Sequence, residues 1–528
     1  MSSARTKQRS RKQGRRPKLY VRCPKGVIQP RVEKVGPERF GIVAVDCAKA
    51  RSKWMLCNFY GKVIVPPTEV EHNSVGLKAA VEAVREAVSK AGLLDTIVAV
   101  EMTGTYHRPI QRAFRDAQWD TRLVHPFASH HFRRVMHPNL KTDDHDLEAI
   151  FQAAASGFGL QEIPSGEIYN QLQLLSRHRR NLVEQRARLQ IQMREYMDRF
   201  LPGYAKLFHK DDLWDSQVGL QLTRWFDHPD ALVAAGVEAM ATRLRQESLR
   251  FQQRTLLRIE AWARVAAKPD PLHAMLHRIW NELDEHRLQL SQKINQNEVE
   301  MASLLVRTPY VLLLSAHGLN IVTAGDLAAE MGAIENYPNA RAVSGRAGLF
   351  PSRYQSDEVD RADGPLARSA NKRLRAAWLR IADCLFKCNF HYQAKYEQWD
   401  ALGVDARDMR VRCANRATRM VYQIVAGRKL YQHAGDGRRQ YLLHKLLVFY
   451  REHDADSARM MVDLQTAIEM LPTTSYADEA KPFEELANRR RPDKSLAGLL
   501  LAVLERLGIT RQEIERVQSE MSEAQKPV

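Results

Sequence analysis

Four acidic residues in the first third of the chain occupy positions that packing alone does not favour. Asp46 and Glu101 each follow a short apolar run that is typical of a buried strand. Asp143 and Asp146 lie three residues apart in the sequence KTDDHD, which places them on one face of a helix. Converging carboxylates repel one another unless cations lie between them, and oxygen-rich sites suit Mg²⁺ or Mn²⁺. The pattern predicts a two-metal site that acts on a phosphodiester.

Each of these acids also has a structural alternative. Asp46 could be a turn residue or a helix N-cap. Asp143 could simply support its own helix, because Thr142-Asp143 is a good helix-start signal. Asp146 serves no such purpose, so the pair favours chemistry over capping.

The elements that must position these acids follow from hydrophobic periodicity and turn signals. Three short strands come first, with a hairpin turn at Tyr60-Gly61, and helices then alternate with strands. The predicted strands are 41–45, 53–58, 62–65, 96–100 and 121–124, and the predicted helices include 74–91 and 143–155. Three antiparallel strands followed by alternating helices and strands, with acids at strand ends, match an RNase H-like layout.

Composition narrows the partners of the protein. The chain has 528 residues, 44% of them hydrophobic, and a formal net charge of +18. A surplus of this size predicts a polyanionic partner, although a basic protein without one is the alternative. No apolar run approaches the roughly 20 residues of a membrane span, and neither a signal peptide nor a Cys-x-x-Cys pair is visible. We therefore expect a reduced, cytoplasmic protein without membrane contact.

The chain is long enough for several domains, and we expect α/β and all-α parts. The predicted segments are a basic disordered arm (1–37), an α/β catalytic domain (38–160), a helical coiled-coil region (161–306), a second informative block (307–430) and a helical C-terminal extension (431–528). The arm is rich in Lys and Arg and lacks apolar periodicity, so it would contact phosphates electrostatically. The extension shows no chemistry, and an appended helical domain or an oligomerisation element is the favoured interpretation.

Two heptad patterns predict long paired helices in the coiled-coil region. The first seam comprises Ile168, Leu172, Leu175, Arg179, Leu182, Arg186, Leu189, Met193, Tyr196 and Phe200. A weaker seam runs from Leu272 to Leu304 and could pair with the first within one chain or between chains. Arg179 and Arg186 would fix register or mark a wet section that faces nucleic acid.

Residues 308–425 form the other informative block. Two short helical patterns flank residues 317–320, a helix–hairpin–helix shape that can hold a phosphate at its backbone amides. Asn320 stands where such hairpins carry a second glycine, so a plain structural hairpin is equally consistent. A polar loop with Ser352 and Ser356 then leads into a basic helix that begins near Asn371.

Five histidines between the fifth strand and the last helix of the α/β domain suggest a metal cluster at first sight. They are His125, His130, His131, His137 and His145. Their spacing matches no zinc pattern, and a basic surface that faces nucleic acid is the favoured interpretation.

Both blocks together resemble the DEDD-type insertion-sequence transposases of the IS-one-ten family, whose relatives include the Piv invertases. The first block reads VDCAKARSKWMLCNFYGKV, then VEMTGTYHRPI, then LKTDDHDLEAI, and Asp46, Glu101, Asp143 and Asp146 fall on the four acids of the family. The second reads LSAHGLNIVTAGDLAAEMG and continues to GLFPSRYQSD, where Ser356 falls on the catalytic serine of the family. Ser352 is the alternative nearby serine, and Asp357 stands where the family usually has glycine.

The resemblance implies RNA-guided DNA recombination. The N-terminal domain would be RuvC-like with an RNase H fold, Mg²⁺ (or Mn²⁺) would be bound by the four acids, and Ser356 would attack DNA to leave a 5′-phosphoserine bond. The partners would be donor and target DNA, a structured non-coding guide (bridge) RNA and further copies of the chain in a dimer or tetramer, in the nucleoid of a prokaryote. Contacts to nucleic acid are expected from Lys141, Arg353, Arg368, Asn371, Lys372, Arg373 and Arg375.

Two other classes of protein stay open on the sequence. A metal-dependent RNase H-like nuclease or Holliday-junction resolvase would use the four acids and water, and would need no serine. A non-catalytic RNA-binding protein with a relic fold is the other class, against which the four intact acids count.

Overall fold

The computed structural model describes residues 24–472 except 163–165, 209–212, 353, 357–358, 362–363, 368–369 and 432–438. The chain forms two compact units, residues 1–164 and 165–528. The first contains a mixed α/β sheet and the second is almost wholly helical. The expected combination of an α/β part and a helical remainder is therefore confirmed.

The first unit is built on a six-stranded sheet. Its strands are β1 (Phe40–Cys47), β2 (Arg51–Asn58), β3 (Val63–Glu71), β4 (Asp95–Glu101), β5 (Asp120–Val124) and β6 (Gly159–Gln161). The order across the sheet is β3-β2-β1-β4-β5-β6. The strands β1, β2 and β3 form an antiparallel meander, whereas β4 and β5 run parallel to β1 and β6 returns antiparallel at the edge.

The central strands are buried on both faces, which explains their nearly continuous apolar runs. Alternate residues of β1 point to opposite sides, with Ile42 and Ala44 in one core and Val43 and Val45 in the other. The helices that cover the sheet are α1 (Gln29–Val35), α2 (Ser74–Lys90), α3 (His107–Asp116), α4 (Pro126–Met136) and α5 (Asp143–Ala155). The hairpin predicted at Tyr60-Gly61 is confirmed: Gly61 has a φ of 87° between β2 and β3.

The basic arm is shorter than predicted, because its last part is folded. Residues 1–23 lie outside the described residues. The helix α1 follows them, and Ile28 and Val32 are buried in the core on the same side as Ile42. Arg31 reaches Asp95 and Asp120 at the starts of β4 and β5. Its two buried apolar residues are too few to produce a periodic pattern in the sequence.

The second unit contains twelve helices among the described residues. They are α6 (Glu167–Phe200), α7 (Gln217–Trp225), α8 (Pro229–Gln246), α9 (Gln253–Ala263), α10 (His273–Leu305), α11 (Ile321–Met331), α12 (Ala340–Ala347), α13 (Lys372–Cys388), α14 (Phe390–Asp400), α15 (Ala406–Gly427), α16 (Arg439–Glu452) and α17 (Ser457–Glu469). A short hairpin of β7 (Tyr354–Ser356) and β8 (Val359–Arg361) interrupts them.

The two heptad patterns correspond to α6 and α10, which pack against each other antiparallel within the chain. Leu182 of α6 packs with Leu290 and Ile294 of α10, and near the other end Phe200 contacts Trp280 edge-on at a centroid distance of 6.2 Å. The sequence left open whether these helices pair within one chain or between chains. In the structure they pair within the chain.

The two arginines of the first seam have partners inside this helical pair. Arg179 donates to Glu298, and Arg186 donates to the Ser291 hydroxyl at 3.2 Å. Glu298 also accepts from His453, which directly follows α16, at 2.7 Å, so α6, α10 and the end of α16 share one ionic network. Arg179 and Arg186 therefore lie in a polar section of the pair rather than on a free face.

The helices that follow α10 surround one large core. Residues 442–471 contribute to it together with residues 305–431, so the described part of the C-terminal extension packs into the same core as the preceding block. Tyr450 and Ser303 both donate to the carboxylate of Asp463, which joins α16, α10 and α17. Within the described ranges, no helix is long and apolar enough to cross a membrane.

Candidate active site

Asp46 and Glu101 lie next to each other at one edge of the sheet. Asp46 is the last but one residue of the central strand β1, and Glu101 ends the parallel neighbour β4. The register pairs Val45 with Val100, so the two carboxylates follow side by side. Both are half-buried, because the strands bury their apolar stretches and end at the rim of the core. The sequence prediction that strand ends bring these acids together is supported by this register.

Asp143 and Asp146 come to the same edge on the first turn of α5. Thr142 caps this helix, and its hydroxyl accepts from the backbone N–H of His145 at 3.3 Å. The helix packs against β1 through buried residues that include Leu147 and Ile150. Since Thr142 performs the capping, Asp143 is not the cap residue itself, although both aspartates favour the helix N-terminus.

The four acidic side chains interact electrostatically. Burial, together with the charges of Glu101, Asp146 and Asp143, raises the pKa of Asp46 to about 6. Burial also raises the pKa of Asp146; Glu101 and Asp143 add to the effect, while Arg133 and Lys141 oppose it. The site therefore holds more negative charge than its own surroundings neutralise.

Helix α4 supplies partners for two of these acids. The Ser129 hydroxyl donates to Glu101, and Arg133 Nε lies 2.8 Å from a carboxylate oxygen of Asp146. Ser129 and Arg133 are four residues apart and so share one face of the helix. Sequence reasoning missed both residues. The spacing Ser-x-x-x-Arg directly after β5 was the available signal, and it is too common to indicate a site by itself.

A lysine makes a further contact to the acidic turn. Lys53 of β2 stands opposite Asp46 in the sheet register, and its ammonium group lies 2.6 Å from Asp144. Asp144 was not among the predicted site residues, and its pairing with Lys53 makes it a structural link between β2 and α5.

The donor set fits a hard divalent cation, although its present geometry does not. All four groups are carboxylates, the ligand type that Mg²⁺ and Mn²⁺ prefer, and burial together with the neighbouring carboxylates raises the pKa of Asp46. Among the residues that the structure describes, no group of three or more His, Cys, Asp or Glu side chains is arranged to hold a metal. Ser129 and Arg133 engage oxygens of Glu101 and Asp146 that a cation would use. A cation bound through the same oxygens would compete with Ser129 and Arg133.

The five predicted histidines are dispersed over α4 and α5. His125 caps α4, His130 contacts Arg133 at 3.0 Å, and His137 stacks on His145 with ring centroids 3.9 Å apart. His131 stacks on the exposed Phe127. They form a surface beside the acids.

Ser356 lies in the second unit, at the end of β7. It is exposed and pairs with Val359 of β8. Ser352 is also exposed, and its backbone N–H donates to the carbonyl of Pro365 at 2.9 Å. Both serines are thus accessible, and exposure alone does not rank them. Arg353, Arg368 and Asp357 lie outside the described residues.

Helix α13 is the basic helix that follows the hairpin of β7 and β8. Its residues that are predicted to contact nucleic acid are of two kinds. Asn371 caps the helix by accepting from the N–H groups of Arg373 and Leu374, both at 3.0 Å. Arg375 Nε donates to the carbonyl of Ala347 at 3.0 Å. These side chains are therefore engaged within the protein, whereas Lys372, Arg373 and, in the first unit, Lys141 are exposed.

The predicted helix–hairpin–helix has a different first element. A 3₁₀ helix, Pro309–Ser315, precedes the turn, and α11 follows it. Asn320 forms a capping box with Thr323 and so occupies the N-terminal amides that a phosphate would use. Gly318 has a φ of 89°, and a Cβ there would come within 2.8 Å of the Cys384 carbonyl oxygen. The turn packs tightly on α13, which fits the structural interpretation of this hairpin.

Two family models match the chain. A transposase model named for the DEDD motif and IS110 matches residues 43–202, and the model of the transposase IS116/IS110/IS902 family matches residues 310–397. No curated protein matches the chain significantly. The matches define a transposase, a class of protein that acts on DNA by cleavage and rejoining. The chain belongs to the IS110 family of insertion-sequence transposases, and its DEDD domain indicates the use of a divalent metal.

Proposed function

We propose that this transposase is an RNA-guided DNA recombinase that cuts and rejoins donor and target DNA through a serine. The observation that carries the proposal is the convergence of Asp46, Glu101, Asp143 and Asp146 at one sheet edge, where burial and mutual repulsion raise the pKa of Asp46. Such a site gains most from cations and from the phosphate that cations bind.

We infer that the first unit is an RNase H-like, RuvC-like nuclease domain. An antiparallel meander β1–β3 continued by the parallel strands β4 and β5 supports this assignment. The acids on the central strand, on its parallel neighbour and on the helix packed against it support it as well.

Within this site the chain positions the scissile phosphate. Divalent ions, when bound, neutralise the charge that develops on the phosphate. Asp46 and Glu101 would hold them from the sheet, and Asp143 and Asp146 from α5. Asp46 must be ionised to serve as a ligand, so its raised pKa sets a lower limit to the working pH.

The serine step conserves the energy of the phosphodiester. Ser356 Oγ forms a bond to phosphorus while the bond to the 3′ oxygen breaks, and the serine proton is balanced by the proton that the released 3′-hydroxyl gains. The 5′ end stays on the protein as a phosphoserine, and the attack of another 3′-hydroxyl reverses the step with a new partner strand. No ATP is needed, because one bond is exchanged for another of the same kind.

RNA guidance is supported by charge and by the resemblance to the family. A net charge of +18 suits a protein that holds two kinds of nucleic acid by their backbones. Sequence choice would then rest on base pairing between the RNA and both DNA partners.

The test of guidance is a recombination assay with the non-coding RNA encoded beside the gene. Replacing the RNA segment complementary to the target should redirect insertion to the new complementary sequence, with the protein unchanged. An RNA with the same segment scrambled serves as the control. Insertion into the original target with either RNA, or with none, would contradict guidance and leave the DNA chemistry untouched.

A metal-dependent nuclease that uses water is the second candidate. The observation that favours it is that all four acids belong to the first unit, which needs no residue of the second to bind metal. Such an enzyme would release free 5′-phosphate ends and would be indifferent to Ser356.

A further inference from the structure

Helix α15 carries a row of exposed polar side chains, three of them arginines, on its outer face. Arg412, Arg416, Arg419 and Gln423 are all exposed and follow one another at intervals of four, three and four residues, which places them along one side. The opposite side, which includes Cys413, Ala417 and Val421, is buried in the core. The row is thus fixed by the packing of the helix rather than by the choice of side-chain conformation.

The row borders a concave surface, here called the α15 groove. The groove encloses about 840 Å³ and is lined by Arg416, Arg419, Gln423 and Lys429, with Tyr392 and Tyr422 among its other lining residues. No acidic residue lines it in the part of the chain that the structure describes. A concave surface with three cations and no carboxylate is complementary to an anion.

These arginines differ from their neighbours in having no carboxylate partner. Arg410, also on α15, pairs with Asp383, and Arg380 pairs with Asp326 in the same unit. Within the described ranges, Arg412, Arg416 and Arg419 form no ion pair; Arg416 lies over the ring of Trp399 instead, 5.4 Å from its centroid. Like charges three and four residues apart destabilise a helix, so the row is unfavourable without an anionic ligand.

The length of the row matches a nucleic-acid strand. Arg412 and Arg419 are seven residues apart, about 10 Å along the helix axis at the usual rise. This is roughly the length of three nucleotides at about 3.4 Å each. A chain of phosphates can therefore meet successive cations of the row, which a single small anion could not.

The aromatic residues of the groove are not placed to read bases. Tyr422 donates its hydroxyl to the Tyr337 carbonyl at 3.1 Å, and Tyr392 is buried with its hydroxyl directed to Met420 Sδ. Their polar ends are used within the protein. The groove therefore offers charge to a backbone rather than stacking surfaces to bases.

The neighbouring edge of α15 holds the segment that leads to the two serines. Asn415, next to Arg416 in the chain, donates to the Leu349 carbonyl at 2.6 Å, three residues before Ser352. A further hydrogen bond of 3.0 Å joins Thr418 of α15 to Ser344 of α12. A nucleic-acid strand bound along the row would thus lie on α15, the same helix that holds the segment leading to Ser352.

We propose that the α15 groove binds the phosphodiester backbone of a nucleic-acid strand without regard to base sequence. DNA and RNA share this chemistry. The assignment goes beyond the acids and Ser356, and it requires only that the protein acts on nucleic acid.

The test is equilibrium binding by fluorescence anisotropy in EDTA, so that cutting does not contribute. The full-length triple variant R412Q/R416Q/R419Q is compared with R245Q/R264Q/R278Q, which removes the same charge from arginines that are already paired with Glu238, Glu260 and Glu282. Labelled duplex DNA, single-stranded DNA and the non-coding RNA are the three probes.

The groove variant should bind at least one probe tenfold or more weakly, and its slope of log affinity against log salt should become shallower by about 2 to 3. The probe that loses most identifies the natural strand. The control variant should change affinity by less than about threefold. Equal losses in both variants, or an unchanged salt slope, would overturn the proposal. If the glutamine variant does not fold, R412K/R416K/R419K keeps the charge; it should bind within about threefold of the native protein, and a tenfold loss on this folded variant would also overturn it.

Discussion

Arg133 and Asp146 form an ion pair at the centre of the acidic site, with Nε 2.8 Å from the carboxylate oxygen. Both side chains are largely buried, at 13% and 22% exposed. One turn earlier on α4, Ser129 donates to Glu101. The helix α4 therefore supplies the site with a cation and a hydrogen-bond donor, which would compete with a metal ion for the same carboxylate oxygens.

Replacing Arg133 should strengthen Mg²⁺ binding and weaken the stability of the metal-free protein. Arg133→Gln removes the competing charge, so we expect Mg²⁺ to bind about tenfold more tightly, equivalent to about 1.4 kcal/mol. The metal-free protein should lose about 1–2 kcal/mol of unfolding free energy, because Asp146 loses a charged partner. Calorimetric titration with Mg²⁺ and thermal unfolding in EDTA measure the two effects.

Arg134→Gln is the matched control for Arg133, because it removes the same charge from the adjacent, exposed position. It should change neither quantity appreciably. Weaker Mg²⁺ binding in Arg133→Gln than in the native protein would show that Arg133 supports the metal site rather than competing with the metal.

The raised pKa of Asp46 predicts how stability depends on pH. Its carboxyl group titrates near 3.8 in the unfolded chain and near 6 in the folded protein. The protonated form is therefore favoured by folding, and this contribution is lost as the pH rises from about 4 to 6. The metal-free protein should lose about 2–3 kcal/mol over this range. Thermal unfolding with EDTA should show this loss, and Asp46→Asn should abolish it.

Magnesium should oppose this loss of stability at rising pH. Above pH 6 Asp46 is ionised and can bind the cation, so the stabilisation by Mg²⁺ should grow between pH 5 and 7. A stabilisation by Mg²⁺ that is independent of pH, or that persists in Asp46→Asn, would speak against Asp46 as a ligand.

The buried network of Arg179, Glu298 and His453 has a pH dependence of its own. Burial alone would lower the pKa of His453, but its bond to Glu298 raises it above 6.5 overall. The stabilising effect of protonated His453 is therefore fully present below pH 6.5 and is lost as the pH rises through the folded value. His453→Gln should cost about 2 kcal/mol at pH 6 and less at pH 9. Chemical denaturation at both pH values measures this.

His444→Gln provides the comparison for His453, since His444 is exposed on α16, the helix that directly precedes His453. Its effect on the free energy of unfolding should be small and independent of pH. An equal loss at pH 6 and pH 9 in His453→Gln would mean that the side chain stabilises by packing and not by its charge.

The strands that carry the acids could be predicted closely, because each is an apolar run that ends on a carboxylate. The helix α5 begins at Asp143 as predicted, since Thr142 is a strong N-cap and its apolar side is periodic. These patterns are local, and local patterns can be recognised in a single sequence.

The features that the sequence did not reveal depend on packing between distant segments. The pairing of Arg133 with Asp146 joins two helices through a turn whose path no local pattern defines. The edge strand β6 has three residues, too few for a periodic signal. The heptads predicted two long helices correctly, but a seam pattern is the same whether the partner helix lies in the same chain or in another.

The measurement that tests the proposed mechanism most directly is the detection of a covalent protein–DNA adduct. The protein is incubated with the non-coding RNA, Mg²⁺ and DNA labelled on the 3′ side of the scissile bond, in the fragment whose 5′ phosphate joins the serine, and then separated on a denaturing gel. We predict label on the protein that is lost in Ser356→Ala and in Asp46→Asn but retained in Ser352→Ala. Cleavage without labelled protein, at an equal rate in Ser356→Ala, would contradict the serine mechanism and identify a nuclease that uses water.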